Sequence, residues 1–89
     1  MFFIKVYSIY DVKAKSFSLP FFAPNDQVAK RSFSDLVNDP SSQVSLHPED
    51  YKLYYCADFD QQTCRISQSS ALVGHLADGL DFSSKVLVV

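Results

Sequence analysis

The sequence predicts an α+β domain: two β-hairpins and one amphipathic helix in the order ββαββ, giving an antiparallel sheet with the helix on one face and a variable C-terminal segment. Three observations carry this. Two long runs, Phe2 to Tyr10 and Tyr51 to Phe59, are dense in β-branched and aromatic residues, and each leads through a short polar turn into a second strand-like stretch. Between them, apolar residues recur at helical spacing behind a capping signal. At 89 residues, with eight Phe and five Tyr, the chain has room for one domain whose modest core is built from large side chains.

The first strand sets Phe2, Ile4 and Val6 on one face and Phe3, Tyr7 and Ile9 on the other. Asp11-Val12-Lys13-Ala14 turns the chain into a second strand, Ser16 to Phe22, which Pro20 confines to an edge or ends. Asn25 or Asp26 accepts from the first free N–H groups of a helix reaching about Asn38, with Ala29, Phe33, Leu36 and Val37 on its inner face. Asn38-Asp39-Pro40 stops that helix, because the residue before proline is driven out of the helical region. Ser41 to Asp50 reads as a long polar connector, a candidate adaptable loop.

Tyr51 to Phe59, the turn Asp60-Gln61-Gln62-Thr63 and a short strand from Arg65 to Ser67 form the second hairpin, with Leu53, Tyr55 and Ala57 opposing Tyr54 and Cys56. Leu72, Leu76 and Leu80 recur at intervals of four, the mark of a short helix, interrupted by Gly74 and Gly79. Lys85 to Val89 reads as an edge strand or a partner-binding segment. Residues 1–68 make the core domain, and residues 69–89 an extension packing on the core or on a partner. No internal repeat is evident.

Both long strands are apolar at both parities, whereas one helix covers one face of a sheet. The second face is therefore expected to be covered by the C-terminal segment or by another subunit. A homodimer burying Phe3, Tyr7 and Tyr54 is the simplest arrangement for a chain this short.

Eight Lys and Arg against ten Asp and Glu give a formal charge of −2, so no global field draws the chain towards nucleic acid or an anionic membrane. Its longest apolar stretches fall far short of a bilayer span. Cys56 and Cys64, with no signal peptide before them, read as free thiols of a reducing cytoplasm. His47 and His75 do not combine with these cysteines at the spacing of a structural zinc site. Asp39, Glu49, Asp50, Asp58 and Asp60 read as turn and rim residues rather than a catalytic or cation site. No catalytic residue, metal ligand or cofactor is assigned, and the chain is not read as an enzyme.

The ordered motifs Asp11-Val12-Lys13-Ala14, Pro20-Phe21-Phe22, Pro24-Asn25-Asp26, Phe33-Ser34-Asp35-Leu36-Val37-Asn38-Asp39-Pro40, His47-Pro48-Glu49-Asp50-Tyr51 and Phe59-Asp60 resemble the small non-structural protein of gokushovirus-type microviruses, phages with circular single-stranded DNA. The resemblance runs from about Ile4 to Ile66. It implies a non-enzymatic accessory protein of the bacterial host's cytoplasm, absent from the mature virion, acting in genome replication or the switch to packaging. Single-stranded DNA is the partner it implies, and a viral or host protein the alternative. Lys5, Lys13, Lys15, Lys30, Arg31, Lys52, Tyr54 and Arg65 are the candidate nucleic-acid contacts, cations beside aromatics able to track phosphates and stack bases. A dimer through the tyrosines would push DNA towards Lys13, Lys15, Lys30 and Arg31. Where such proteins place a glycine after the turn threonine, this chain has Cys64, a residue that adopts a left-handed backbone only with strain.

Overall fold

The computed structural model describes residues 3–68 and 74–82. Its strands are β1 (Phe3–Asp11), β2 (Ser16–Phe17), β3 (Phe21–Ala23), β4 (Tyr51–Asp60), β5 (Arg65–Ser67) and β6 (Gly74–Asp78), and its helices α1 (Asp26–Asn38) and α2 (Gln43–Leu46). β1 and β4 pair antiparallel along their whole length, Phe3 facing Asp60 and Asp11 facing Tyr51. Each carries two short strands on its outer edge. β2 and β3 both pair with β1, and β5 and β6 both pair with β4, all antiparallel.

That arrangement contains an internal duplication the sequence did not reveal. Each half is a long strand, a turn opened by aspartate and a short strand, with another short strand further along the same edge. The two turns use the same chemistry. Lys15 N–H donates to Asp11 O and Cys64 N–H to Asp60 O, both at 2.8 Å. The aspartate carboxylates accept from Lys13 and Ala14 N–H in one turn and from Gln62 N–H in the other. The fourth turn residue is left-handed in both, Lys15 at φ 56° and Cys64 at φ 63°. Cys64 thus occupies the conformation that would suit glycine.

The predicted second strand is split. Pro20 lies in the gap between β2 and β3, where Ser18 completes the edge, its N–H donating to Ile9 O and its Oγ accepting from Ile9 N–H. α1 begins at the expected cap, Asn25 Oδ1 accepting from Val28 N–H at 3.0 Å, and ends at Asn38. Its buried residues are Ala29, Phe33 and Val37; Leu36, expected inside, is 38% exposed at the helix margin.

The connector is more ordered than a loop. Ser42 caps α2 through Ser45 N–H, its hydroxyl also donating to Leu36 O, and Val44, Ser45 and Pro48 are buried. The region expected to be a helix around Leu76 is the strand β6, closed by a 3-10 turn over Gly79–Asp81. A register irregularity between Leu53 and Tyr54 leaves Leu76 without a ladder partner, so Leu76 and Ala77 both reach the core. The expected edge strand at Lys85 to Val89 lies outside the described residues.

The core is the layer between α1 and the sheet: Tyr7, Ile9, Ala23, Ala29, Phe33, Val37, Val44, Leu53 and Ala77, with Phe21, Tyr51, Tyr55, Leu76 and Phe82 packed at its border. Tyr7, Phe33 and Leu53 are fully buried. Burying the Tyr7 ring requires a partner for its hydroxyl, and Asp26 supplies it: Oη donates to Oδ1 at 2.6 Å. Burial first, and then that bond, push the phenol well above its usual range. Tyr7 is therefore a core residue under the helix and is removed from the expected dimer surface. A register shift beside Val6 and Tyr7 places Ala57 opposite Val6 and Tyr55 opposite Tyr7, with Cys56 as the extra residue. Ala57 consequently lies on the face opposite Leu53 and Tyr55, contrary to strict alternation.

Candidate functional site

Among the described residues, α1 covers one face of the sheet and none covers the other, called here the open face; the C-terminal segment expected to cover it lies largely outside the described residues. Pairing and alternation bring to that open face Ile4, Val6, Ser8 and Tyr10 of β1, Lys52, Tyr54, Ala57 and Phe59 of β4, and Phe17, Phe22, Ile66, His75 and Asp78 of the edge strands. At one end, Tyr10 packs on Phe17 (ring centroids 4.7 Å apart), Phe17 on Tyr54 (5.3 Å) and Tyr54 on His75 (5.4 Å). At the other end, Phe22 meets Phe59 edge-on at 5.6 Å, with Ile66 facing Phe59 across the ladder. Phe17, Phe22 and Ile66 remain 48%, 51% and 64% exposed.

Between the two aromatic clusters runs a groove of about 460 Å³ whose floor is Val6, Ser8 and Ala57 and whose walls include Phe17, Pro20, Cys56, Ile66 and Gln68. These floor residues are small and buried. The Ser8 hydroxyl is satisfied within the sheet by Ser18 O at 2.8 Å. Burial alone raises the Cys56 thiol above its usual pKa, so it is held as an unreactive thiol rather than a thiolate.

Charge is sorted by face. Asp11, Asp58 and Asp60 alternate onto the helix side, where Asp26, Asp35, Asp39, Glu49 and Asp50 also lie. Among the described strands, Asp78 is the carboxylate that alternates onto the open face, and it is paired there: Lys52 Nζ lies 2.9 Å and His75 Nε2 2.7 Å from the same Oδ1, while Asp81, in the adjoining 3-10 turn, accepts from Asp78 N–H and also acts on Lys52. The bond to Lys52, then that to His75, hold the Asp78 carboxyl below its usual range. The strands thus present aromatic rings and a single, paired carboxylate on the open face, in a chain that is acidic overall.

The structure divides the candidate contacts into groups. Lys52 and Tyr54 lie on the open face. Lys13 and Lys15 are exposed in the turn beside Tyr10 and Phe17, whereas Arg65, exposed at the opposite end, is in register with Asp60 and so alternates onto the helix side. Lys5, Lys30 and Arg31 belong to the helix side: Lys5 Nζ is 3.6 Å from Asp26 and 5.6 Å from the Tyr55 ring centre, and the other two are on α1. Phe3 is 46% exposed and alternates onto the helix side, away from Tyr54. Sequence reasoning missed Tyr10, Phe17, Phe22, Phe59 and His75. The signal for the first two and Phe59 was present, since Tyr10-Asp11 and Phe59-Asp60 precede the two turns and Phe17 and Ile66 follow them at equal distance.

The four histidine and cysteine residues sit apart, on the connector, mid-strand, in a hairpin turn and on β6. His47, Glu49 and Asp50 do bring ligand atoms within 4.8 Å of one another, but in an exposed turn with His47 and Glu49 already 3.8 Å apart. Among the described residues, no helix is long and apolar enough to cross a membrane. A sequence profile described as phage ORF5 protein matches residues 4–82. No curated protein and no solved structure matches the chain.

Proposed function

The chain belongs to the phage ORF5 protein family, and from that premise we propose that this phage accessory protein binds single-stranded DNA through the open face of its sheet. The observation carrying this reading is the sorting of side chains by face: two aromatic clusters on a surface whose strand carboxylate is paired with a lysine, with two lysines in the turn at one end. Aromatic faces stack unpaired bases of any sequence, and flanking cations hold the phosphates, which is what a non-specific single-strand binder needs. The acidic isoelectric point is no obstacle, because most strand and helix carboxylates lie on the other side and Asp78 is paired with Lys52.

In this reading the protein is a non-enzymatic factor of a gokushovirus-type microvirus, working in the infected cell's cytoplasm during genome replication or the switch to packaging and not carried in the virion. Fluorescence anisotropy with labelled dT20 tests it. The two turn lysines engaging phosphates give binding that weakens with salt at a log–log slope of about −1.4. No binding at low salt overturns the reading.

The exposed Phe17, Phe22 and Ile66 favour a second use of the same surface, as a contact with another protein or with a second copy of the chain. A face occupied in that way cannot stack bases. Sedimentation equilibrium separates the two: a mass of 10.0 kDa at high micromolar concentration excludes the homodimer.

A further inference from the structure

Resting on that reading, we propose that the open face is a three-base site, with one base on each aromatic cluster and the middle one in the groove between them, completed by flanking phosphates to about five nucleotides. The argument is one of spacing. The first cluster centres on the sheet between Ser8 and Tyr10, since Tyr54 faces Ser8 and Phe17 faces Tyr10. The second centres between Ile4 and Val6, since Phe59 faces Ile4 and Phe22 faces Val6. Four residues of strand separate the centres, or about 14 Å.

Stacked bases in a strand advance about 3.4 Å, and a strand drawn out to roughly twice that rise, near 7 Å, is unstacked so that each base can meet the sheet separately. Two such steps span the gap, which leaves one base between the clusters. What lies there is the groove, floored by Val6, Ser8 and Ala57, the small residues of a face otherwise crowded with rings. Its volume exceeds that of a nucleobase, and its lining is mainly apolar, the Ser18 groups and Gln68 Nε2 being engaged within the protein. Beyond the outer base at the Tyr54 cluster lies the turn that carries the exposed Lys13 and Lys15. The duplicated architecture places aromatics at both ends of the groove and this cationic turn at one of them.

The test is competition of dT2 to dT10 against labelled dT20. Affinity is expected to climb steeply to about dT5 and thereafter only in proportion to the number of overlapping sites. Tyr54→Leu and Phe59→Leu, which keep apolar bulk but remove the ring, are each expected to weaken dT5 about tenfold with an unchanged circular dichroism spectrum. An affinity already level from dT2, a steep rise continuing to dT10, or a folded Phe59→Leu that binds dT5 like the parent chain overturns the three-base site while leaving single-strand binding intact. Failure of dT20 itself to bind overturns the parent reading and the site with it.

Discussion

Replacing Cys64 with glycine should stabilise the protein. Cys64 is held at φ 63°, where a β-carbon crowds the following carbonyl at a cost of about 1–2 kcal/mol. Glycine relieves that crowding but gives back about 0.5–1 kcal/mol through the larger freedom of the unfolded chain. The net gain is about 0.5–1 kcal/mol, because the Cys64 N–H to Asp60 O bond that closes the turn uses backbone alone and is retained. For a domain of this length, whose whole stability is on the order of 4–13 kcal/mol, 1 kcal/mol raises Tm by about 4–8 °C. Thermal unfolding under reducing conditions, followed by circular dichroism, measures it, with Cys64→Ala as the control that removes sulfur but keeps the β-carbon. Equal Tm values for the glycine and alanine variants would refute the reasoning. Lys15→Gly repeats the experiment in the matching turn, and since the turns sit at opposite ends of the β1–β4 ladder the two gains should add within about 0.5 kcal/mol.

Phe33→Ala, at the fully buried centre of the helix–sheet layer, should lose about 3–5 kcal/mol in urea titrations, enough to leave the fold marginal. A β-carbon at Gly79 would lie 2.1 Å from Pro48 O, a backbone atom that cannot swing away, so Gly79→Ala should cost about 1–3 kcal/mol or more in the same assay. The raised pKa of Tyr7 keeps the folded phenol neutral while the unfolded one ionises near pH 10, so this contribution is complete below about pH 10 and lost as pH rises through the folded value. Urea midpoints should accordingly fall between pH 9 and 11, and Tyr7→Phe should flatten that limb; an unchanged slope would contradict the assignment. In DNA binding, Lys13→Gln and Lys15→Gln should each reduce the salt slope by about 0.7, whereas Lys30→Gln on the helix side should not.

Most of the fold follows from local signals that act at short range. The Asn25 cap, the stop at Asn38-Asp39-Pro40 and the two aspartate-led turns each depend on a few adjacent residues, and all appear where the sequence suggests. What escaped is long-range. Leu72, Leu76 and Leu80 share a helical spacing, but β4 has an unfilled edge beside Lys52 to Tyr55, and its ladder bonds override the weak helix propensity of a segment interrupted by two glycines. The irregularity at Cys56 has no signature in sequence, and because side chains alternate with period two, one extra residue carries Ala57 to the other face. The candidate site suffered in the same way. Lys5 and Tyr54 both look like strand residues beside aromatics, yet pairing puts them on opposite faces, and the sorting of carboxylates to the helix side depends on that pairing too.

The central claim, that the open sheet face holds single-stranded DNA, is tested most directly by titrating isotope-labelled protein with dT5 and following backbone amide shifts. The account predicts changes concentrated at Tyr10, Phe17, Phe22, Tyr54, Phe59 and His75 and at the turn carrying Lys13 and Lys15, with α1 unmoved. Shifts centred on Lys30 and Arg31 of α1, or none at all, would contradict it.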